Sequence, residues 1–186
     1  MSQDMTLIKA INHTIDEAMA QDDSIVVLGE DVGVDGGVFR ATEGLVEKYG
    51  KERVMDTPIS EAGIVGMGMG MAINGLKPVI EIQFSGFIYP AFQEIVSHVS
   101  RIRNRSRGRF TAPMVIRSPY GGGINALEHH SESMEALYAH IPGIKVVIPS
   151  SPAEAKGLLT AAIRDPDPVL FLEPKKIYRA FKDTVP

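Results

Sequence analysis

The sequence predicts a doubly wound α/β fold: a mostly parallel sheet with helices on both faces. Three observations carry this. Short, continuous β-branched runs such as Ser24-Ile25-Val26-Val27-Leu28 recur along the chain, as strands covered on both faces require. Segments with apolar residues three and four positions apart stand between those runs. Glycine, proline and aspartate separate most of the pairs, which is the chemistry of turns. Strands alternating with helices leave room for crossovers, so neighbouring strands run parallel.

The elements follow in order. Leu7, Ile8, Ile11, Ile15, Ala18 and Met19 recur at helical spacing, predicting an amphipathic helix over 5–20. Residues 24–28 read as a buried strand. Gly29-Glu30-Asp31-Val32-Gly33 and Asp35-Gly36-Gly37 form a loop. A short helix is predicted over 42–49, closed by Gly50, and a short strand over 53–55. Ser60 is placed to cap a helix running through Asn74 and ended by Gly75. A strand at 78–84, a helix at 90–103 and a strand at 114–117 precede a glycine-rich loop at 120–124. A helix at 133–140, a strand at 145–148, a helix at 153–164 and a final strand at 169–172 complete the series.

The chain has 186 residues, 44% of them hydrophobic, which suits one packed domain over 1–186. A net charge of −4 does not favour a nucleic-acid partner. Without cysteine, neither a disulfide framework nor a thiolate metal site exists. The N-terminus Met1-Ser2-Gln3-Asp4 has no basic stretch leading into an apolar one, so neither a secretory nor a transit peptide is read there and a cytoplasmic chain is expected. The apolar run from Ala62 to Ile73 is shorter than the about 20 residues a membrane span needs.

In open parallel sheets, ligands gather at the carboxyl ends of the strands. Glu30, Glu61, Gln83 to Phe87, Ser118 to Gly123 and Glu173 all fall just after predicted strands. Glu61 opens the helix ending at Asn74, whose N-terminus would stabilise its anion while burial would oppose it. Two readings stand: an exposed first-turn glutamate, or a carboxylate exchanging a proton with a bound heterocycle. Glycines 63, 66, 68 and 70 on that helix each cost up to about 1 kcal/mol relative to alanine. The small residues Ala62, Gly66 and Gly70 would let another backbone approach, inside the domain or across a subunit interface. Aromatics in Gln83-Phe84-Ser85-Gly86-Phe87 fit either core packing or stacking on a planar ligand. His129 and His130 are adjacent, and no histidine lies four residues away on a helix to complete a zinc site. One histidine at a site edge could act as an acid or donor; a solvated loop histidine is the alternative. Gly121-Gly122-Gly123 is followed by no Gly-Lys-Ser/Thr, so it is not a P-loop. Arg101, Arg103, Arg105, Arg107 and Arg109 alternate and form no single helical stripe.

Leu28-Gly29-Glu30-Asp31-Val32-Gly33, Asp56-Thr57-Pro58-Ile59-Ser60-Glu61, Glu81-Ile82-Gln83-Phe84, Ile116-Arg117-Ser118-Pro119, His130-Ser131-Glu132-Ser133 and the 142–149 and 162–165 segments occur in one order. That set resembles the N-terminal, pyrimidine-binding part of the E1 β subunits of thiamine-diphosphate-dependent 2-oxo acid dehydrogenases, pyruvate and branched-chain types. The resemblance runs from Thr6 to Pro186.

The resemblance implies a thiamine-diphosphate-binding fold of the pyrimidine type. It implies that Glu61 hydrogen-bonds N1′ of the cofactor's aminopyrimidine, and that burial raises its pKa toward that of the ring nitrogen. Ile59, Gln83 and Phe87 would surround the pyrimidine, with Phe87 stacking. His130 would assist substrate binding and acyl transfer to a lipoyl arm. A structural potassium ion is implied at Ala112, Met114, Val115, Ala162, Asp165 and Asp167, with Asp167 where the family commonly has Asn. Mg²⁺ and the diphosphate would be held by an E1 α subunit in an α2β2 heterotetramer. The partners implied are that α subunit, a second β subunit and the lipoyl domain and core of E2. Family β subunits continue into a second domain beyond the position of Pro186, so half a site is expected and no decarboxylation by the chain alone. A transketolase or deoxyxylulose-phosphate-synthase type of pyrimidine domain, or a non-catalytic oligomerising fragment, are the rival readings.

Overall fold

The computed structural model describes residues 2–186. The chain builds β1 (Gln3–Thr6), α1 (Leu7–Gln21), β2 (Ile25–Gly29), α2 (Leu45–Tyr49), β3 (Val54–Asp56), α3 (Glu61–Ile73) and β4 (Lys77–Glu81). A helical segment of changing pitch follows: 3-10 at Ser85–Ala91, α4 at Phe92–Glu94, π at Ile95–Val99 and α5 at Ile102–Arg105. Then come β5 (Val115–Tyr120), α6 (Glu135–Ala139), β6 (Lys145–Val147), α7 (Pro152–Arg164), β7 (Val169–Pro174), a 3-10 turn (Lys175–Ile177) and β8 (Lys182–Val185).

Six strands form one parallel sheet in the order β3-β2-β4-β5-β7-β6. Because side chains alternate along a strand, each strand feeds two cores. Val27, Val79, Val115, Val169 and Phe171 pack under α1, α2 and α7. Val26, Leu28, Ile80, Ile116, Leu170 and Leu172 pack under α3, the pitch-changing segment and α6. This is the doubly wound arrangement the sequence predicts, and both faces are covered because both are apolar. The chain leaves β2 for the edge strand β3 and returns to β4 on the other side of β2. That reversal opens a crevice at the carboxyl ends of β2 and β4, the location where such sheets bind ligands.

Several local expectations change. The strand at 169–172 is not final: β8 pairs antiparallel with β1, a two-stranded ribbon outside the main sheet. Lys182, Asp183 and Thr184 give it almost no apolar signal, because backbone pairing, a Thr184 hydroxyl donating to Asp4 at 2.9 Å and the single buried Val185 hold it. The helix expected over 42–49 begins only at Leu45, since Gly44 has φ +82° and breaks the turn before it. The helix expected at 90–103 starts earlier and changes pitch, because Pro90 offers no N–H to an α-helical bond. After α5 the chain turns out through Arg107 (φ +53°) and Gly108 (φ +81°), which separates the arginines of the 101–109 stretch. Arg103 pairs with Asp167 at 2.6 Å and Arg105 meets His98 at 3.2 Å. Among the described residues, no helix is long and apolar enough to cross a membrane.

Candidate active site

The site grows from the carboxyl ends of β2, β4, β5 and β7. Beneath it, Arg117 on β5 is fully buried and bridges its neighbours. Its Nε and Nη2 donate to Glu173 on β7 at 2.7 and 3.1 Å, and Nη1 donates to Glu81 on β4 at 2.9 Å. Tyr178 donates its hydroxyl to the same Glu173 at 2.6 Å. Burial raises the Glu81 carboxyl above its ordinary range, Arg117 opposes that, and Glu173 adds to it. Burial likewise pushes the Tyr178 hydroxyl well up, with Glu173 reinforcing it. Two carboxylates thus share one guanidinium, and the three strand ends are pinned in register before any loop leaves them.

Asp56, the last residue of β3, reaches into the loop after β2. Its two oxygens accept from the backbone N–H groups of Gly33 at 2.6 Å and Val34 at 3.1 Å. A Cβ on Gly33 would lie 2.9 Å from that carboxylate, so only glycine admits the contact. Thr42 closes the same loop by donating to the Val32 carbonyl at 2.7 Å. The clamp draws the 29–44 loop against the 56–61 turn.

Glu61 is the first residue of α3. Ser60 caps the helix, accepting from the Gly63 N–H at 3.3 Å, as the sequence predicts. Glu61 is half-buried, so this chain alone does not enclose it in the dry pocket the resemblance implied. Beside it lies a carboxylate that the sequence places just after a buried strand, with no role assigned to it. Glu30 is 7% exposed, and its Oε1 has no hydrogen-bond partner among the described residues. Its carboxyl is raised above the ordinary range, first by burial, then by the charge of Glu61, then by Asp31. The Asp56 clamp and the Thr57 N–H, which donates to the Gly29 carbonyl at 3.0 Å, bring the two segments carrying these carboxylates together. The one hint in the sequence was a glutamate directly after a buried strand.

The aromatic side of the site follows β4. Phe84 and Phe87 meet edge to face at 5.4 Å. The His130 ring stands against both, at 4.6 and 5.0 Å. The loop carrying it is fixed by Ser85, whose hydroxyl donates to the Glu132 carbonyl at 2.8 Å, and by Gly86. A Cβ at Gly86 would collide with the His129 carbonyl oxygen. The His130 Nδ1 sits 2.9 Å from the Glu128 carbonyl. A carbonyl only accepts, so Nδ1 carries the hydrogen and Nε2 is left for chemistry. Gln83 donates to Asp31 at 3.0 Å, tying the aromatic side to the Glu30 loop. Ile59 is 85% exposed. Gln83, Phe87, Glu61 and His130 thus stand at one pole of the sheet.

The six residues of the expected potassium site lie at the opposite pole, where β5 begins and α7 ends. The Val169 N–H donates to the Met114 carbonyl at 3.0 Å and joins the two segments. The donors are all oxygen, which suits a hard cation. Both carboxylates are already held, Asp165 by Lys145 at 2.8 Å and Asp167 by Arg103. Among the described residues no group of three or more His, Asp or Glu gathers as a metal site.

The glycines of α3 divide. A Cβ on Gly68 would meet Ile80 and Met114 at 3.1 Å, while Gly66 and Gly70 face open space. Gly68 therefore serves the internal helix–sheet contact. Gly66, together with Met67 at 41% exposure, leaves an apolar outer stripe.

Residues 3–180 match the family model described as "Transketolase, pyrimidine binding domain". The chain is 65% identical over 182 residues to the pyruvate dehydrogenase E1 component subunit beta of Acholeplasma laidlawii, covering 98% of this chain and 56% of that protein. It is 52% identical over 182 residues to the 2-oxoisovalerate dehydrogenase subunit beta of Bacillus subtilis, with the same shares covered. The chain spans about half the length of the curated relatives it matches. A solved structure described as a split-gene transketolase, an inactive β4 tetramer, is similar in fold, with TM-score 0.67 and 21% identity over 91% of this chain and 51% of that one.

Proposed function

This chain belongs to the transketolase pyrimidine-binding domain family, and from that premise we propose that it is the pyrimidine-binding part of an E1 β subunit, oxidatively decarboxylating pyruvate or a branched-chain 2-oxo acid. The observation that carries the reading is the carboxylate pair: Glu61 at the capped start of α3, beside a buried, unpartnered Glu30. The residues suit thiamine diphosphate. A half-buried carboxylate can share a proton with a ring nitrogen, and the half-exposed Phe87 offers a flat face. When bound, that cofactor would supply a nucleophilic carbon for the 2-oxo group and a thiazolium ring to take up the electrons released as CO₂ leaves.

The chain's own residues have the following roles in this reading. Glu61 holds a proton at the pyrimidine N1′. Burial, and then the charge of Glu61, raise the carboxyl of the neighbouring Glu30, so Glu30 gives up its proton less readily than an ordinary glutamate. Phe87 orients the ring, and Gln83 and Ile59 bound it. His130, with Nδ1 committed to Glu128, presents Nε2 to the substrate and then to the lipoyl arm of E2. An E1 α subunit supplies Mg²⁺ and the diphosphate site in an α2β2 assembly, and the apolar stripe of α3 is its docking face or that of a second β subunit. A potassium ion at the far pole would rest on the carbonyls of Ala112, Met114, Val115 and Ala162 beside Asp165 and Asp167. It is tested by comparing the melting temperature in potassium and in sodium salts.

The deciding experiment mixes the β chain with its α partner and thiamine diphosphate and follows 2-oxo acid-dependent dye reduction. Wild type should turn over; Glu61→Gln should lose about 100-fold or more. No turnover by an assembled, cofactor-loaded wild type would sink the reading. Comparing pyruvate with branched 2-oxo acids on the same complex assigns the acyl chain.

A further inference from the structure

Lys175 follows β7 and is 6% exposed. Its Nζ is buried, and among the described residues it has no hydrogen-bond partner. A buried ammonium is ordinarily paired with a carboxylate, but among the described residues none pairs with this one. Glu173, two positions before it, and Glu81 are held by Arg117, and no acidic group contributes to the proton affinity of Lys175. Burial alone lowers its amine to about 8. Its Nζ lies 5.5 Å from the centroid of the Phe84 ring. The same ring meets His130 at 4.6 Å. The unsatisfied amine and the imidazole of the candidate site therefore share one phenyl ring as a neighbour.

An unpaired cation in that position awaits an anion. We propose that Lys175 binds a carboxylate at the His130 side of the site, namely the carboxylate of the 2-oxo acid substrate. This rests on the reading of the site as that of a 2-oxo acid dehydrogenase. A carboxylate can accept from the ammonium and raise its proton affinity, which converts an unfavourable burial into a charge-assisted hydrogen bond. The amine is closed off in this conformation, so a ligand reaches it through a local opening. The adjacent segment suited to that is Gly121–Gly123. It packs on the Lys175–Lys176 backbone, with a Cβ at Gly123 lying 3.2 Å from Lys176 Cα, and it takes φ values of +71° at Gly121 and +129° at Gly123. A carboxylate side chain from a partner subunit is the other source of the same chemistry.

The test uses the β chain assembled with its α partner, comparing wild type, Lys175→Met and Lys175→Arg with pyruvate as substrate and its neutral amide, which has no carboxylate to lose, as a competitive inhibitor. Lys175→Met should raise KM for pyruvate about tenfold with kcat within about threefold, leave the inhibition constant of the amide unchanged, and be rescued in large part by Lys175→Arg. Equal effects on acid and amide would overturn the proposal. So would loss of assembly, seen by sedimentation, with pyruvate KM unchanged, since the amine would then pair with a partner's carboxylate. The chain labelled with ¹³C at lysine Cε gives a readout independent of turnover. The Lys175 signal, assigned from the Arg variant, should shift with pyruvate and not with the amide. If the wild-type complex shows no turnover yet that shift appears, the functional reading fails and carboxylate binding stands. If the complex turns over and the signal stays fixed into the tens of millimolar, Lys175 is not the anchor.

Discussion

Glu61 and Glu30 are electrostatically coupled across the crevice between β2 and α3, and the charge of Glu61 raises the carboxyl of its buried neighbour. Burial is the larger cause and has the same sign. A carboxyl whose folded pKa lies above its unfolded value favours folding most at low pH, and that contribution is lost as pH rises through the folded pKa. Glu30→Gln is therefore expected to stabilise the chain at pH 7 and to lose the advantage as pH falls below the ordinary range of Glu. Urea midpoints at pH 7 and pH 4 check this. An equal shift at both would show that ionisation of Glu30 is not the cause.

Removing Arg117 should be the most damaging single change under the site. Arg117→Met keeps the bulk but leaves Glu81 and Glu173 buried without their cation. A loss of about 3–5 kcal/mol is expected in denaturant unfolding. A change below about 1 kcal/mol would mean the strand ends are not held by this network.

The helix α3 allows a paired comparison. Gly68→Ala places a methyl 3.1 Å from both Ile80 and Met114 and should cost about 1–3 kcal/mol through overpacking. Gly66→Ala meets open space and should be neutral or stabilising by up to about 1 kcal/mol in the isolated chain, from helix propensity. Only the second should weaken assembly with the proposed α subunit or second β subunit. Thermal melts and sedimentation separate the two effects.

Gly86→Ala tests how His130 is held. The added methyl meets the backbone of His129, so the 129–132 loop must move away from Ser85. Activity of the assembled complex should drop about tenfold or more, with amide exchange speeding up at 129–132 and the core unchanged. Unaltered exchange there would show that the loop is positioned by something else.

The sequence by itself determined the parallel sheet, because β-branched runs buried on both faces carry their own signal. It determined the α3 cap, because Ser60 satisfies a backbone N–H only three residues away. It determined the family, through ordered motifs that span most of the chain. The ribbon β1–β8 was not legible, since backbone pairing leaves no side-chain pattern at Lys182, Asp183 and Thr184. The division of the α3 glycines was not legible either: Gly66 and Gly68 differ only in what faces them. Glu30 and Lys175 are the clearest cases. Each is an ordinary charged residue after a strand, and each becomes chemically unusual only when distant segments close over it. Asp56, 26 positions beyond Glu30, holds the loop that buries the first, and Phe84, 91 positions before Lys175, lies across the amine of the second. Burial and partnership are properties of the assembled neighbourhood, so the tertiary structure alone decided which charges are left waiting for a ligand.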